Sequence, residues 1–307
     1  MRIKGKESTL AYRGMATLPI LPSPRDQDIL TALDRCPLTV PQLLKLSATF
    51  SAAFTTERKL RERMQTLADR GWVRRRQFAL VGRGTMNYYT LAPAGFRSLH
   101  GDGTRLPTRV TRPVAPGQLA HTQALAALVV HTLVAAHAAG VSVQDFSPEN
   151  TLRLQTGADF LYPDGSFRLG FPGGEHYRYF VELDNATQTI HSAKGLDTWE
   201  KKIAFYEAYQ HSILPQRSRV LAVTTGTEER VRNILDMAAH VLLEARRSLL
   251  YGTTLHSYLA SAEPLTTACF LDHRGQPAAL IPEYRMERAT APTIRATPAA
   301  LEMSAMV

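Results

Sequence analysis

Apolar positions in the N-terminal third recur three times with helical spacing. Residues 26–34, 40–46 and 55–70 each carry apolar side chains three and four apart. Thr39 with Pro41, and Thr55 or Thr56, supply the residue types that open the second and third helices. In the third, Leu60, Met64, Leu67 and Ala68 share one face, which leaves Arg58, Lys59, Arg61 and Gln65 on the solvated side. Gly71 stops that helix. The period then falls to two across 72–80, Gly82-Arg83-Gly84 turns the chain, and 87–91 returns as a second strand. Arg74, Arg75 and Arg76 therefore sit together on a hairpin, and Ala92-Pro93-Ala94-Gly95 opens a further short helix.

Residues 101–117 gather Gly and Pro without apolar periodicity and read as a connection. Beyond it, 119–139 predicts a helix with Leu125, Leu128, Val129, Leu133 and Ala136 on one side. His121 falls on the side of Leu125, where packing or bridging between helices is the first expectation for it and a place in a metal site the second. Then follow a hairpin over 160–169, a strand over 177–184, a helix over 192–209, a strand over 219–225 and a helix over 228–246. The expected organisation is a flexible N-terminus (1–24), a helical and hairpin domain (25–100), the connection (101–117), an α/β domain with a mixed sheet (118–287) and a flexible tail (288–307). The fold class is accordingly α+β or α/β.

Charge divides at the connection. Residues 1–117 hold 20 Lys and Arg against 8 Asp and Glu, whereas 118–307 hold 16 against 19, so a net +12 is followed by −3. A polyanionic partner is expected for the N-terminal half. Two distant cysteines, Cys36 and Cys269, and an N-terminus without a leader-like pattern suit the cytoplasm. The apolar run 125–136 is interrupted by His131 and Thr132 and is short for a bilayer, so no membrane segment is expected.

The acidic half carries the candidate chemistry. In Phe180-Val181-Glu182-Leu183-Asp184 the alternation of a strand puts Glu182 and Asp184 on one face. Two carboxylates there repel each other unless a proton or a cation lies between them, and a hard divalent ion such as Mg²⁺ answers that need. A solvated sheet edge would also hold such a pair, Pro163-Asp164-Gly165 is also a good turn, and Lys202 also reads as a solvated helix residue. There is no GxSxG elbow, Walker A sequence, paired Cys-x-x-Cys or His-x-His.

Residues 25–100 resemble the winged-helix family, in which the run Tyr88-Tyr89-Thr90-Leu91-Ala92-Pro93-Ala94-Gly95 is a familiar ending. The resemblance implies double-stranded DNA as partner, with Arg58, Lys59, Arg61 and Gln65 at base edges and Arg74 to Arg76 at phosphates or the minor groove. Pro163-Asp164-Gly165, Phe180 to Asp184 and Lys202-Ile203-Ala204-Phe205-Tyr206 resemble the PD-(D/E)XK nucleases, and most nearly the replication-relaxation proteins of plasmids and mobile elements.

That resemblance implies a restriction-endonuclease-like core related to mobilisation relaxases. Asp164, Glu182 and Asp184 would bind Mg²⁺ or Mn²⁺, Glu149 would add a ligand, and Lys202 would stabilise charge on phosphate. Asp184 occupies the place of the usual strand lysine, so the lysine must come from the following helix. Lys194 competes with Lys202 for that role, and Tyr206 lies one turn on. The implied function is metal-dependent nicking or processing of DNA at a replication or transfer origin, with other replication or transfer proteins as further partners. The alternatives are an inactive nuclease-like core serving as DNA-binding regulator or replication accessory protein, and an adaptor that binds only proteins.

Overall fold

The computed structural model describes residues 21–80, 84–170, 176–186, 190, 198–244 and 246–281. The N-terminal half begins with α1 (Pro24–Arg35), β1 (Leu38–Thr39), α2 (Val40–Leu46), α3 (Glu57–Asp69), β2 (Val73–Leu80), β3 (Gly84–Leu91) and α4 (Pro93–His100). Reciprocal capping boxes, Ser23 with Asp26 and Thr39 with Gln42, start α1 and α2, and Thr56 caps α3. The two-residue β1 pairs with β3, Leu38 against Tyr89, which makes a three-stranded sheet in the order β1-β3-β2. Helix, short strand, two helices and a hairpin constitute a winged helix.

The connection is packed down. It contains α5 (Thr108–Thr111), where Val110 is buried, and Arg109 pairs with Asp34 of α1 at 2.5 Å.

The rest of the chain comprises α6 (Leu119–Ala138), β4 (Ser142–Ser147), β5 (Leu154–Thr156), β6 (Asp159–Leu161), β7 (Gly165–Gly170) and β8 (His176–Asp184). Then come α7 (Trp199–Ser212), β9 (Ser218–Thr224), α8 (Glu228–Val241), β10 (Leu250–Thr254), α9 (Leu255–Ala260), β11 (Phe270–Asp272) and β12 (Pro277–Ala278). Seven strands form one mixed sheet in the order β12-β11-β10-β9-β8-β7-β4, parallel only across β8-β9-β10. The parallel pair β8-β9 is joined through α7, and β9-β10 through α8, as parallel neighbours require a crossover.

Alternation along β8 separates two cores. Phe180 faces Ile203 and Tyr206 of α7 and Val231 and Leu235 of α8. Tyr179, Val181 and Leu183 face the other way, in a cluster that holds Leu125 and Leu128 of α6 and continues into Leu43, Leu60 and Leu67 of the winged helix. α6 is thus shared by both halves, and Lys45 of α2 meets His131 of α6 at 2.9 Å. The stretch Pro116–Ala138 is long and apolar enough to cross a membrane, yet more than half of it is buried inside this fold.

Several expectations change. Residues 160–169 do not form a hairpin: β6 pairs with β5, Leu161 against Leu154, while β7 pairs with β4 and β8. Tyr162 to Asp164 therefore carry the chain from one sheet to another. α7 is described from Trp199, capped by Thr198, and residues 191–197, including Lys194, lie outside the described residues. α8 ends at Val241 because Leu242 turns extended. The last three strands and α9 were not legible as a pattern.

Candidate metal centre

Asp164 stands at the entrance to β7. Its Oδ2 accepts the Leu183 N–H at 2.7 Å, so the side chain itself continues the ladder between β7 and β8. Oδ1 is left to face His121 Nε2 of α6 at 3.2 Å, and Glu149, which follows β4, approaches the same nitrogen at 4.0 Å. One ligand atom from each of His121, Glu149 and Asp164 lies within 4.8 Å of the others. Opposite ligands of an octahedral Mg²⁺ stand about 4.2 Å apart, so three atoms within 4.8 Å of one another need only a small closure to share such an ion. An imidazole beside two carboxylates suits Mn²⁺ better than Mg²⁺, which prefers oxygen.

The electrostatics favour a cation here. The hydrogen bond to Asp164 raises the His121 pKa against the effect of burial, with the charges of Asp164 and Glu149 acting the same way. Burial raises Glu149, His121 opposes that rise, and Asp164 adds to it. His121 and Glu149 are thereby pushed toward holding protons that a divalent ion would replace. Asn185 approaches His121 Nδ1 at 3.2 Å, a contact that orients the ring. With Nε2 turned to an ion, Nδ1 would carry the proton, and a flipped Asn185 amide would accept it. Pattern reading misses Asn185, just past the strand, as a site member, whereas it holds His121 as a further candidate, with packing or bridging between helices expected first because His121 lies on an apolar helix face.

Glu182 is next to this group but outside it. Its Oε2 accepts from Lys202 Nζ at 2.7 Å and its Oε1 from the Tyr206 hydroxyl at 2.5 Å, both from one face of α7, since residues four apart stack. Burial pushes the Glu182 pKa up to about 7, Lys202 pulls it down, and Asp164 pushes it further up. Lys202 is also close enough for its charge to lower His121.

Asp184 does not converge with the others, although it shares a strand face with Glu182. Its oxygens meet Arg230 Nε at 2.9 Å and Nη2 at 3.0 Å, Thr224 Oγ1 at 2.9 Å and Trp199 Nε1 at 3.4 Å. Burial would raise its pKa, and the bonds from Arg230 and Thr224 outweigh burial and hold it low. The cation expected between the two strand carboxylates is therefore supplied twice by side chains, Lys202 for Glu182 and Arg230 for Asp184. Asp184 ties β8 to β9 and α8.

The replication-relaxation family matches residues 32–223, from α1 through β9. The chain belongs to the replication-relaxation family. No curated protein matches it. Among solved structures it is similar to Bacillus subtilis PadR in complex with operator DNA, at 15% identity and a TM-score of 0.23, over 37% of this chain and 71% of that one.

On the winged helix of this replication-relaxation chain, Arg58, Lys59, Arg61 and Gln65 all point to solvent on α3. Arg58 pairs with Glu62 at 2.9 Å, Arg61 with Glu57, and Gln65 bonds Asp69 at 2.7 Å. Such exposed pairs are worth only about 0.3–0.5 kcal/mol, so a phosphate can displace the acids. The hairpin arginines do not form a single row. Arg75 is exposed opposite Tyr89, while Arg74 and Arg76 lie half-buried on the other face opposite Thr90 and Tyr88. A strand alternates its side chains, so three consecutive arginines split two to one.

Proposed function

We propose that this chain binds double-stranded DNA through α3 and the β2–β3 hairpin and nicks or processes DNA of a plasmid or mobile element. The reaction belongs at a replication or transfer origin, in the cytoplasm, with Mn²⁺ or Mg²⁺ as cofactor and other replication or transfer proteins as partners. The observation that carries this reading is the meeting of His121, Glu149 and Asp164, from three separate elements, beside the Lys202–Glu182–Tyr206 cluster. Family membership and the winged-helix fold support a role on DNA.

A divalent ion held by those three residues would supply Lewis-acid chemistry at a phosphoryl oxygen. The chain's own groups would do the rest. Lys202 places an ammonium beside the carboxylates, where it can steady negative charge developing on a phosphate that arrives there. Glu182, with a pKa near 7, can take or return a proton at neutral pH. Its two bonds from α7 hold it in place.

A supercoiled plasmid carrying the cognate origin, incubated with protein and either Mn²⁺ or Mg²⁺, tests this directly. Nicking abolished by Asp164→Ala and by Glu182→Ala is the expected result; no nicking with either ion overturns the enzymatic reading. The second reading, a nuclease-like DNA-binding regulator without activity, is favoured by one observation: both strand carboxylates are already neutralised by side-chain cations.

A further inference from the structure

A groove of about 830 Å³ runs between the winged helix, the connection and the segment after β4. Four arginines line it, Arg35, Arg105, Arg109 and Arg112, against one carboxylate, Glu149. Glu149 is also a member of the metal group, so the basic groove opens onto that group. Arg105 and Arg112 are exposed and make no ion pair among the described residues. Arg35 is half-buried with its guanidinium 5.7 Å from the Phe146 ring centroid, and burial holds its pKa below the ordinary value. Arg35 makes no ion pair among the described residues, and Asp34, the carboxylate that acts on its charge, is itself paired with Arg109, so this partly buried charge gains from an anion.

On the chain leading into Asp164 the surface changes character. Phe160 and Tyr162 are 56% and 43% exposed, edge to face at 5.9 Å, and Arg153 stacks over Phe160 at 4.5 Å. Two large aromatics held in solvent beside a cationic plane, immediately before a candidate ligand, form a surface on which bases stack.

We propose that an unpaired DNA strand passes through this groove, its phosphates on Arg35, Arg105, Arg109 and Arg112 and its bases on Phe160 and Tyr162, with a phosphodiester delivered between them to the His121–Glu149–Asp164 group. The proposal rests on the reading of this group as a DNA-processing centre and assigns its substrate as single-stranded. Size decides against a duplex: a cavity of this volume takes one drug-sized ligand, about two or three linked nucleotides. Stacking decides the same way, because only splayed bases reach aromatic side chains. Duplex DNA on α3 and a single strand in the groove are then separate sites of one protein.

Binding of a fluorescent oligothymidylate and of a duplex, both in EDTA, separates them. The Arg105→Glu/Arg112→Glu pair and the Phe160→Ala/Tyr162→Ala pair should each weaken oligothymidylate binding at least about tenfold. Both should leave duplex affinity within about twofold, whereas Arg58→Glu/Arg61→Glu should do the reverse. All six side chains are exposed, so the variants keep the fold, which a thermal melt verifies. Oligothymidylate affinity unchanged in both groove variants, or duplex affinity falling in parallel with it, overturns the proposal. Because no metal is present, a protein that binds the strand through these residues but nicks nothing sustains this inference while failing the functional reading.

Discussion

His121 Nε2 lies 3.2 Å from Asp164 Oδ1, a contact that joins the first turn of α6 to the entrance of β7. In metal-free protein this pair raises the His121 pKa. A raised folded-state pKa contributes stability that is fully present below the unfolded value, about 6.5, and is lost as pH rises through the folded value. Asp164→Asn should therefore lower the His121 pKa in an NMR titration. Its destabilisation relative to the parent should be largest near pH 5.5 and fade toward pH 8.5.

Glu182 gives the same direction of pH dependence for a different reason. Its pKa is about 7 in the fold against an ordinary 4.5, with burial as the first cause, so ionisation works against folding. Between about pH 4.5 and 7 the parent should lose up to about 3 kcal/mol of stability that Glu182→Gln does not lose. Urea midpoints across that range measure the difference.

Asp184 is placed to hold three elements together, and its loss should show in stability first. Asp184→Asn leaves Arg230 without its carboxylate and should cost about 3–5 kcal/mol, read as a fall in urea midpoint. Mn²⁺ affinity should change by less than about threefold, whereas the equivalent change at Glu149 should weaken it at least about tenfold.

Gly95 explains the ending of the winged helix. A Cβ there would lie 2.1 Å from the Trp72 carbonyl oxygen, so only glycine lets α4 close against the start of β2. Gly95→Ala should destabilise the protein by at least about 2 kcal/mol, against the usual gain from alanine in a helix. Far-UV circular dichroism melts check it.

The winged helix was legible because its signals are local. Capping residues at Thr39 and Thr56, the switch to period two after Gly71 and the alternating hairpin each act within a few residues. Two residues of β1 are too few to show a period, and only pairing with Tyr88 and Tyr89 makes them a strand. In the second half, the run at 160–169 looked like one hairpin because strand pairing is set by partners at β4, β5 and β8, distant from the turn. Asp164, Glu149, Glu182 and Lys202 could be found as residue types on suitable elements. That Glu182 and Asp184 would each take a cation from a helix, and that His121 would stand against Asp164, depends on packing of α6, α7 and α8 that no periodicity carries.

The central claim concerns His121, Glu149 and Asp164 as a metal centre, and Mn²⁺ titration followed by electron paramagnetic resonance tests it most directly. The account predicts about one Mn²⁺ bound per chain, with affinity weakened at least about tenfold in Glu149→Gln and in Asp164→Asn and retained in Asp184→Asn. Mn²⁺ that stays free at millimolar concentration, or that binds Glu149→Gln as well as the parent, would contradict it.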